Sequence, residues 1–242
     1  MSLITPDWTL PATVQACSST RVGGVSCSPW DSLNVGAHVG DNPLHVQANR
    51  QRLVELGELP AMPVWLEQVH GTEVLHLTGD QPDSLQADAV YTRQRGIPCA
   101  VMTADCLPVL FCSSDGKEVA AAHAGWRGLC QGVLESTLAA FNAPPEEIHA
   151  WLGPAIGPDA FEVGPEVRDA FLAQKMHSDR AFRPVGEKYY ADIWQLARER
   201  LVHSGVRHIS GGGLCTVSKP TEFFSFRRDG VTGRLASLIW LI

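Results

Sequence analysis

Positive charge is in short supply: 19 lysines and arginines stand against 26 aspartates and glutamates, a formal net charge of -7. Proteins that bind nucleic acid or anionic lipid normally present a basic face, so neither partner is expected. Net charge does not govern a single cleft, and a local basic pocket for a small anion stays open. No apolar run approaches the ~18 residues of a membrane span. The opening stretch, 1–8, lacks the basic start and apolar core of a signal peptide, which makes a cytoplasmic protein the expectation. There is no GxGxxG for a dinucleotide, and Gly211-Gly212-Gly213 lacks the Lys-Ser/Thr that would make it a phosphate loop. No repeat, low-complexity tract or polar linker divides the chain, and no heptad or apolar edge demands a partner, so a monomer is expected.

What is present fits one globular unit. A chain of 242 residues buries roughly three quarters of its extended surface on folding and needs no disulfides. Its seven cysteines are odd in number and scattered, reading as reduced thiols rather than a framework. Strands are predicted over 14–18, 64–69, 73–77, 97–103, 107–112, 119–123, 148–152, 206–209, 223–226 and 235–241. Asp115-Gly116 supplies a hairpin turn between two of them. Helices are predicted over 44–56, where Asn42-Pro43 makes a start signal, and over 129–141, 167–175 and 192–203. Hairpins mixed with helices predict an α+β fold with mixed, mainly antiparallel sheets, in one domain over 1–242.

Three polar positions fall where strand patterns end: His70 in Gln68-Val69-His70-Gly71, Cys106 in Thr103-Ala104-Asp105-Cys106, and His123 in Ala122-His123-Ala124-Gly125. Singly they read as a turn residue, a core thiol and a buried imidazole. Jointly, two imidazoles and a thiolate suit zinc and leave a fourth position open, as in catalytic sites. The same residues serve a metal-free cysteine hydrolase, with Cys106 as nucleophile, a histidine as base and Asp105 orienting it. They also match a blue-copper ligand set, although none of the nine histidines lies two residues from another, which removes the H-x-H pairs of multicopper oxidases. Arg21, Arg127, Arg227 and Arg234 stand beside or near glycines and aromatics, placements that suit phosphate or carboxylate recognition. Asn34 and Asp41 read as turn and cap residues, and Asp88 as a solvent-facing residue before a strand.

Nine blocks carry a resemblance: Thr20-Arg21-x-Gly23-Gly24, Ser32-Leu33-Asn34-x-Gly36, His38-Val39-Gly40-Asp41, Gln68-Val69-His70-Gly71, Thr103-Ala104-Asp105-Cys106, Ala122-His123-Ala124-Gly125-Trp126-Arg127-Gly128, Gly153-Pro154-x-Ile156-Gly157, Cys215-Thr216 and Phe224-Ser225-Phe226-Arg227-Arg228. In these the chain resembles the YfiH family of purine nucleoside phosphorylases, also labelled polyphenol oxidases or laccase-like multicopper proteins. The resemblance implies a single-domain α+β sandwich with zinc, or alternatively copper, on His70, Cys106 and His123. It implies phosphorolysis of adenosine, inosine and methylthioadenosine, with deamination of adenosine. Some members are linked instead to editing peptidoglycan precursors. On this basis Arg21, Asn34, Gln68 and Arg227 are expected to bind the nucleoside and phosphate, and Asp88, Asp105 and Arg127 to serve the chemistry. One departure is Gly213-Leu214, where the family pattern has an Asp-Arg pair.

Overall fold

Strands apolar on both faces have to be covered on both sides, and the residues in the middle of this chain dictate how. The computed structural model describes residues 3–9, 11–174 and 179–242. Its first half comprises β1 (Leu3–Ile4), β2 (Val14–Ser19), α1 (Pro43–Leu56), β3 (Val74–Leu77), β4 (Ala89–Thr92), β5 (Cys99–Thr103), β6 (Leu107–Ser113) and β7 (Val119–Ala124). The second half comprises α2 (Trp126–Gln131), α3 (Val133–Ala139), β8 (Ile148–Leu152), β9 (Glu162–Val163), α4 (Pro165–Ala173), β10 (Phe182–Val185), β11 (Lys188–Ala191), α5 (Ile193–His203), β12 (His208–Gly211), α6 (Phe226–Asp229) and β13 (Leu235–Leu241).

A four-stranded antiparallel sheet, β1-β2-β13-β5, lies against a six-stranded mixed sheet, β12-β8-β6-β7-β4-β3, whose outermost pairs are parallel. A small antiparallel sheet, β10-β11-β9, flanks them. The period of two assigns each side chain to a layer. Cys99 and Val101 of β5 meet Leu110 and Cys112 of β6, Ala121 of β7 and Ile239 of β13 between the sheets. Ala100, Met102, Leu238 and Trp240 turn the other way, onto Leu53 of α1. Beyond the six-stranded sheet, Val109, Phe111, Ala120 and Ala122 pack with Leu134 of α3 and Leu196 of α5. Fully burying a side chain such as Phe111 contributes about 1.5–3 kcal/mol. The expected α+β sandwich in one domain is what the chain forms.

Several local expectations are corrected. The segment 64–69 is not a strand and keeps only an isolated bridge from Glu67 to Gln86. Its pairing is done by a side chain: the Gln68 amide donates to Met102 O and accepts from Met102 N, both at 2.7 Å. The helix expected over 129–141 breaks at Gly132, whose φ of 105° joins α2 to α3. The segment 223–226 holds buried Phe223 and Phe224 in a turn, and Ser225 caps α6. The strand expected over 206–209 moves to β12, beside β8. Lys175, the last residue of the helix expected over 167–175, lies outside the described residues; α4 covers the expected helix as far as Ala173, with Gln174 as its cap. Among the described residues no helix is long and apolar enough to cross a membrane, and all seven cysteines are unpaired.

The two large sheets set up the site. The chain passes from β5 in one to β6 in the other through Ala104-Asp105-Cys106, and β7 ends alongside, since His123 is the register partner of Pro108.

Candidate metal centre

His70 reaches the site from a loop, and a carboxylate fixes that loop. Asp88, fully buried just before β4, accepts hydrogen bonds from the backbone N–H groups of Val69 (3.1 Å), His70 (2.9 Å) and Gly71 (2.7 Å). These bonds hold His70 in the left-handed region at φ 62°, which an L-residue adopts only with support. The same carboxylate lies 2.8 Å from His123 Nδ1. An ionised carboxylate can only accept there, so Nδ1 carries the proton and Nε2 is left for the site. One buried acid therefore orients both histidines. The expectation that Asp88 faces solvent is wrong: the register of β4 against β7 turns it inward, where His123 N donates to its carbonyl.

Cys106 completes the group. Its Sγ lies 3.8 Å from His70 Nε2, the two imidazole rings are edge to face with centroids 4.8 Å apart, and the three donor atoms all lie within 4.8 Å of one another. His123 is buried, Cys106 half-buried and His70 exposed, so the group opens to solvent on one side. Gly125 keeps the space clear: a Cβ there would stand 2.8 Å from His70 Cδ2 and 3.0 Å from Cys106 Sγ. Burial pulls His123 toward neutrality, yet the Cys106 sulfur and the Asp88 carboxylate outweigh it and lift its pKa to about 9. Burial likewise pushes the Cys106 thiol up, but the two histidines outweigh it and bring it to about 6. A thiolate beside two imidazoles is the form that ligates a borderline-soft metal, and this set can hold one ion with a position open.

Two cavities meet at Cys106. One, of about 260 Å3, is walled by His38, Gln68, Met102, Phe226 and Arg234 together with the three donors. The other, of about 270 Å3, is walled by Asp105, Trp126, Arg127, Ile156, Phe161 and Arg227. Arg127 lies over Trp126, and Arg227 extends past Phe161 to the carbonyl of Glu162 at 3.0 Å. Asp105, at φ 96°, accepts from the Thr216 hydroxyl and from Arg227 N, both at 2.6 Å. It thus ties the Cys106 loop to the start of α6.

Of the residues expected from sequence, Gln68, Asp105, Cys106, Arg127 and Arg227 line these cavities. Arg21 does not: its guanidinium is taken up by Asp31, the Pro220 carbonyl and the Phe224 ring. Asn34 does not either. It is fully buried and accepts from Gly36 N and Arg234 N, a support for the backbone at Arg234. Asp88 lies behind the donors and lines no cavity. His38 was not among the expected site residues, although the His38-Val39-Gly40-Asp41 block was an available signal; it sits in the first cavity with Arg234, which the sequence had marked as suited to an anion. Gly213 and Leu214 line neither cavity.

Residues 15–242 match the family of multi-copper polyphenol oxidoreductase laccases. A Shigella flexneri protein named purine nucleoside phosphorylase YfiH is 62% identical over 240 residues, covering 99% of each chain. A Pseudomonas aeruginosa purine nucleoside phosphorylase is 53% identical over 240 residues, covering 98% of each. Among solved structures, a Neisseria meningitidis DUF152 protein superposes with a TM-score of 0.94 at 49% identity, covering 100% of this chain and 99% of its own. The YfiH protein of Bacillus licheniformis does so with a TM-score of 0.90 at 33% identity, covering 95% and 93%. With the match running from β2 to the end of β13, the chain belongs to the multi-copper polyphenol oxidoreductase laccase family, on the branch that includes the YfiH purine nucleoside phosphorylases.

Proposed function

We propose that this protein is a zinc-dependent purine nucleoside phosphorylase acting on adenosine, inosine and methylthioadenosine. The observation that carries the proposal is the meeting of two cavities at one thiolate, with His38, Gln68 and Arg234 on one side and Arg127 and Arg227 on the other. The relatives named as phosphorylases support it. The donors suit zinc, and among the described residues they are the only group of three or more histidines, cysteines or acids placed to hold a metal. Electron transfer through several coppers requires more such groups.

When bound, the ion supplies Lewis-acid polarisation at the junction of the cavities. The protein does the rest. Arg127 and Arg227 bind phosphate by charge-assisted hydrogen bonds, since neither forms an ion pair among the described residues. Gln68 and Phe226 bound the nucleoside cavity. In phosphorolysis the bond from the sugar anomeric carbon to the purine nitrogen breaks, a bond from that carbon to a phosphate oxygen forms, and the base leaves with the proton that dihydrogen phosphate gives up. His38 faces this cavity and carries that proton. Burial, with the charges of Arg234 and Arg50, lowers its pKa, so a neutral imidazole is available to relay it. Asp105 and Asp88 act as ties instead, positioning Cys106, Arg227 and both histidines. Hydrolytic deamination of adenosine is the second reading, favoured by the open side of the donor set, which leaves room for water.

The test is product chromatography with adenosine, with and without phosphate, on protein of measured zinc and copper content. Adenine and ribose-1-phosphate are expected only with phosphate, with about one zinc per chain. Inosine formed without phosphate establishes deamination. A zinc-loaded protein that yields neither product sinks both readings and turns attention to hydrolysis of cell-wall precursors.

A further inference from the structure

The nucleoside and phosphate of the proposed reaction fill the two cavities at Cys106, and the groove continues past them. A third cavity, of about 520 Å3, adjoins the first and shares His38, Gln68 and Met102 with it. Its far wall is Arg50 on Trp65. The guanidinium lies over the indole, 4.4 Å from the ring centroid, and its Nε donates to Val35 O at 2.9 Å. Those two contacts fasten the side chain and leave its two terminal nitrogens with no ion-pair partner among the described residues. Glu67 also lines this cavity but does not pair with Arg50. Burial lowers the Arg50 pKa, a desolvation that no carboxylate among the described residues offsets. A planar fork held flat on an aromatic ring and desolvated without a counter-charge is built to grip an anion in bidentate fashion.

Free phosphate does not answer to this position. To attack the anomeric carbon it has to lie beside Cys106, where Arg127 and Arg227 are, whereas His38 and Gln68 stand between that junction and Arg50. Leu66, Val69 and Leu85 make much of the remaining wall apolar, with Glu67 the one acid on it, which suits an anion that arrives tethered to a larger molecule. We infer that this third cavity binds the phosphate ester of a phosphorylated nucleoside whose sugar and base lie at the metal centre, with Arg50 as the fork that holds it. The inference rests on the nucleoside reading given above and narrows its substrate class.

Calorimetric titration of the zinc-loaded protein with adenosine and with adenosine 5′-monophosphate, in phosphate-free buffer, tests it. The monophosphate is expected to bind about tenfold more tightly, the effect of one charge-assisted bidentate contact. In Arg50→Gln the ratio of the two dissociation constants is expected to fall to about one. In Arg50→Lys, which keeps the charge and loses the fork, it is expected to fall to about two or three. The lysine variant decides the matter alone if the glutamine variant does not fold. A ratio near one in the unmodified protein, or a ratio undiminished in either variant, overturns the inference. So does inorganic phosphate that loses about tenfold in affinity on Arg50→Gln, since Arg50 is then the site of free phosphate. Adenosine that binds but is not cleaved with phosphate defeats the phosphorylase reading, while the binding ratio still decides the role of Arg50.

Discussion

Asp88 sits behind the metal donors, where it accepts from three backbone N–H groups of the His70 loop and from the ring of His123. An asparagine there keeps the shape and loses the charge. Asp88→Asn is expected to weaken zinc binding by about 10- to 100-fold, as for other carboxylates that orient ligating histidines, measured by competition with a chromophoric chelator. An unchanged affinity together with a lower melting temperature would reduce Asp88 to a purely structural support. His38 makes the complementary case, since it is expected to act on chemistry and not on metal. His38→Gln is expected to lower kcat by about 10²-fold or more at unchanged zinc content, read by steady-state kinetics beside metal analysis. The donors themselves were legible in the sequence as polar residues at strand ends, and the resemblance of the blocks around them made the set specific. Asp88 was not, because Ala87-Asp88-Ala89 looks the same whether the acid faces water or the core. Arg21 and Asn34 erred in the opposite sense: their blocks were recognisable, yet their polar groups are fully engaged in holding loops.

At the scale of elements, alternation and caps carried the sequence reading well for β2, α1, β5 to β8, α5 and β13. It failed where side chains replaced backbone pairing, as at Gln68, and where a single glycine with positive φ broke a helix, as at Gly132. The short strands β9 to β11 have too few residues to show a period. One joint between elements has a pH signature. Glu118, just before β7, accepts from the Tyr91 hydroxyl of β4 and from the N–H groups of Asn142 and Ala143 after α3. Burial works against its charge, but the Tyr91 hydroxyl and those N–H groups outweigh it and hold its pKa below the usual range. A carboxyl depressed in the folded state adds stability that is fully present above its unfolded value, roughly pH 4.3, and is lost as pH falls through the folded value. Glu118→Gln is therefore expected to cost about 1.5–3 kcal/mol near pH 7, with the gap from the unmodified protein closing below about pH 4 in thermal melts. A gap independent of pH would mean that shape, not charge, matters at this joint.

For the whole molecule, the metal group stands at one margin of a core that does not depend on it. The packing between the two sheets and the layers on their outer faces are formed by apolar side chains, of which only a few, such as Leu107, Ala122 and Ala124, adjoin the donors. Chelation is accordingly expected to lower the melting temperature by several degrees and abolish turnover while leaving the far-ultraviolet circular dichroism unchanged. Unfolding on chelation at room temperature would favour a zinc-stabilised binding protein without turnover. The overall architecture was legible because hairpins and helices alternate in the chain. The partnership of the two large sheets was not, because it is fixed by which face of β5 meets which face of β6.

That partnership has a consequence for how the proposed ion would be acquired. His70 comes from a loop pinned through β4, Cys106 from the passage between sheets, and His123 from the end of β7. Among the described residues no stretch shorter than this whole central region presents more than a fragment of the set, and β5, which leads into the passage, is itself held in its sheet by β13. A nascent or misassembled chain offers loose single donors that ordinary cellular buffers outcompete. Loading with metal would thus mark finished molecules, and the fraction of a preparation that carries an ion would set a lower bound on the fraction that has completed its fold.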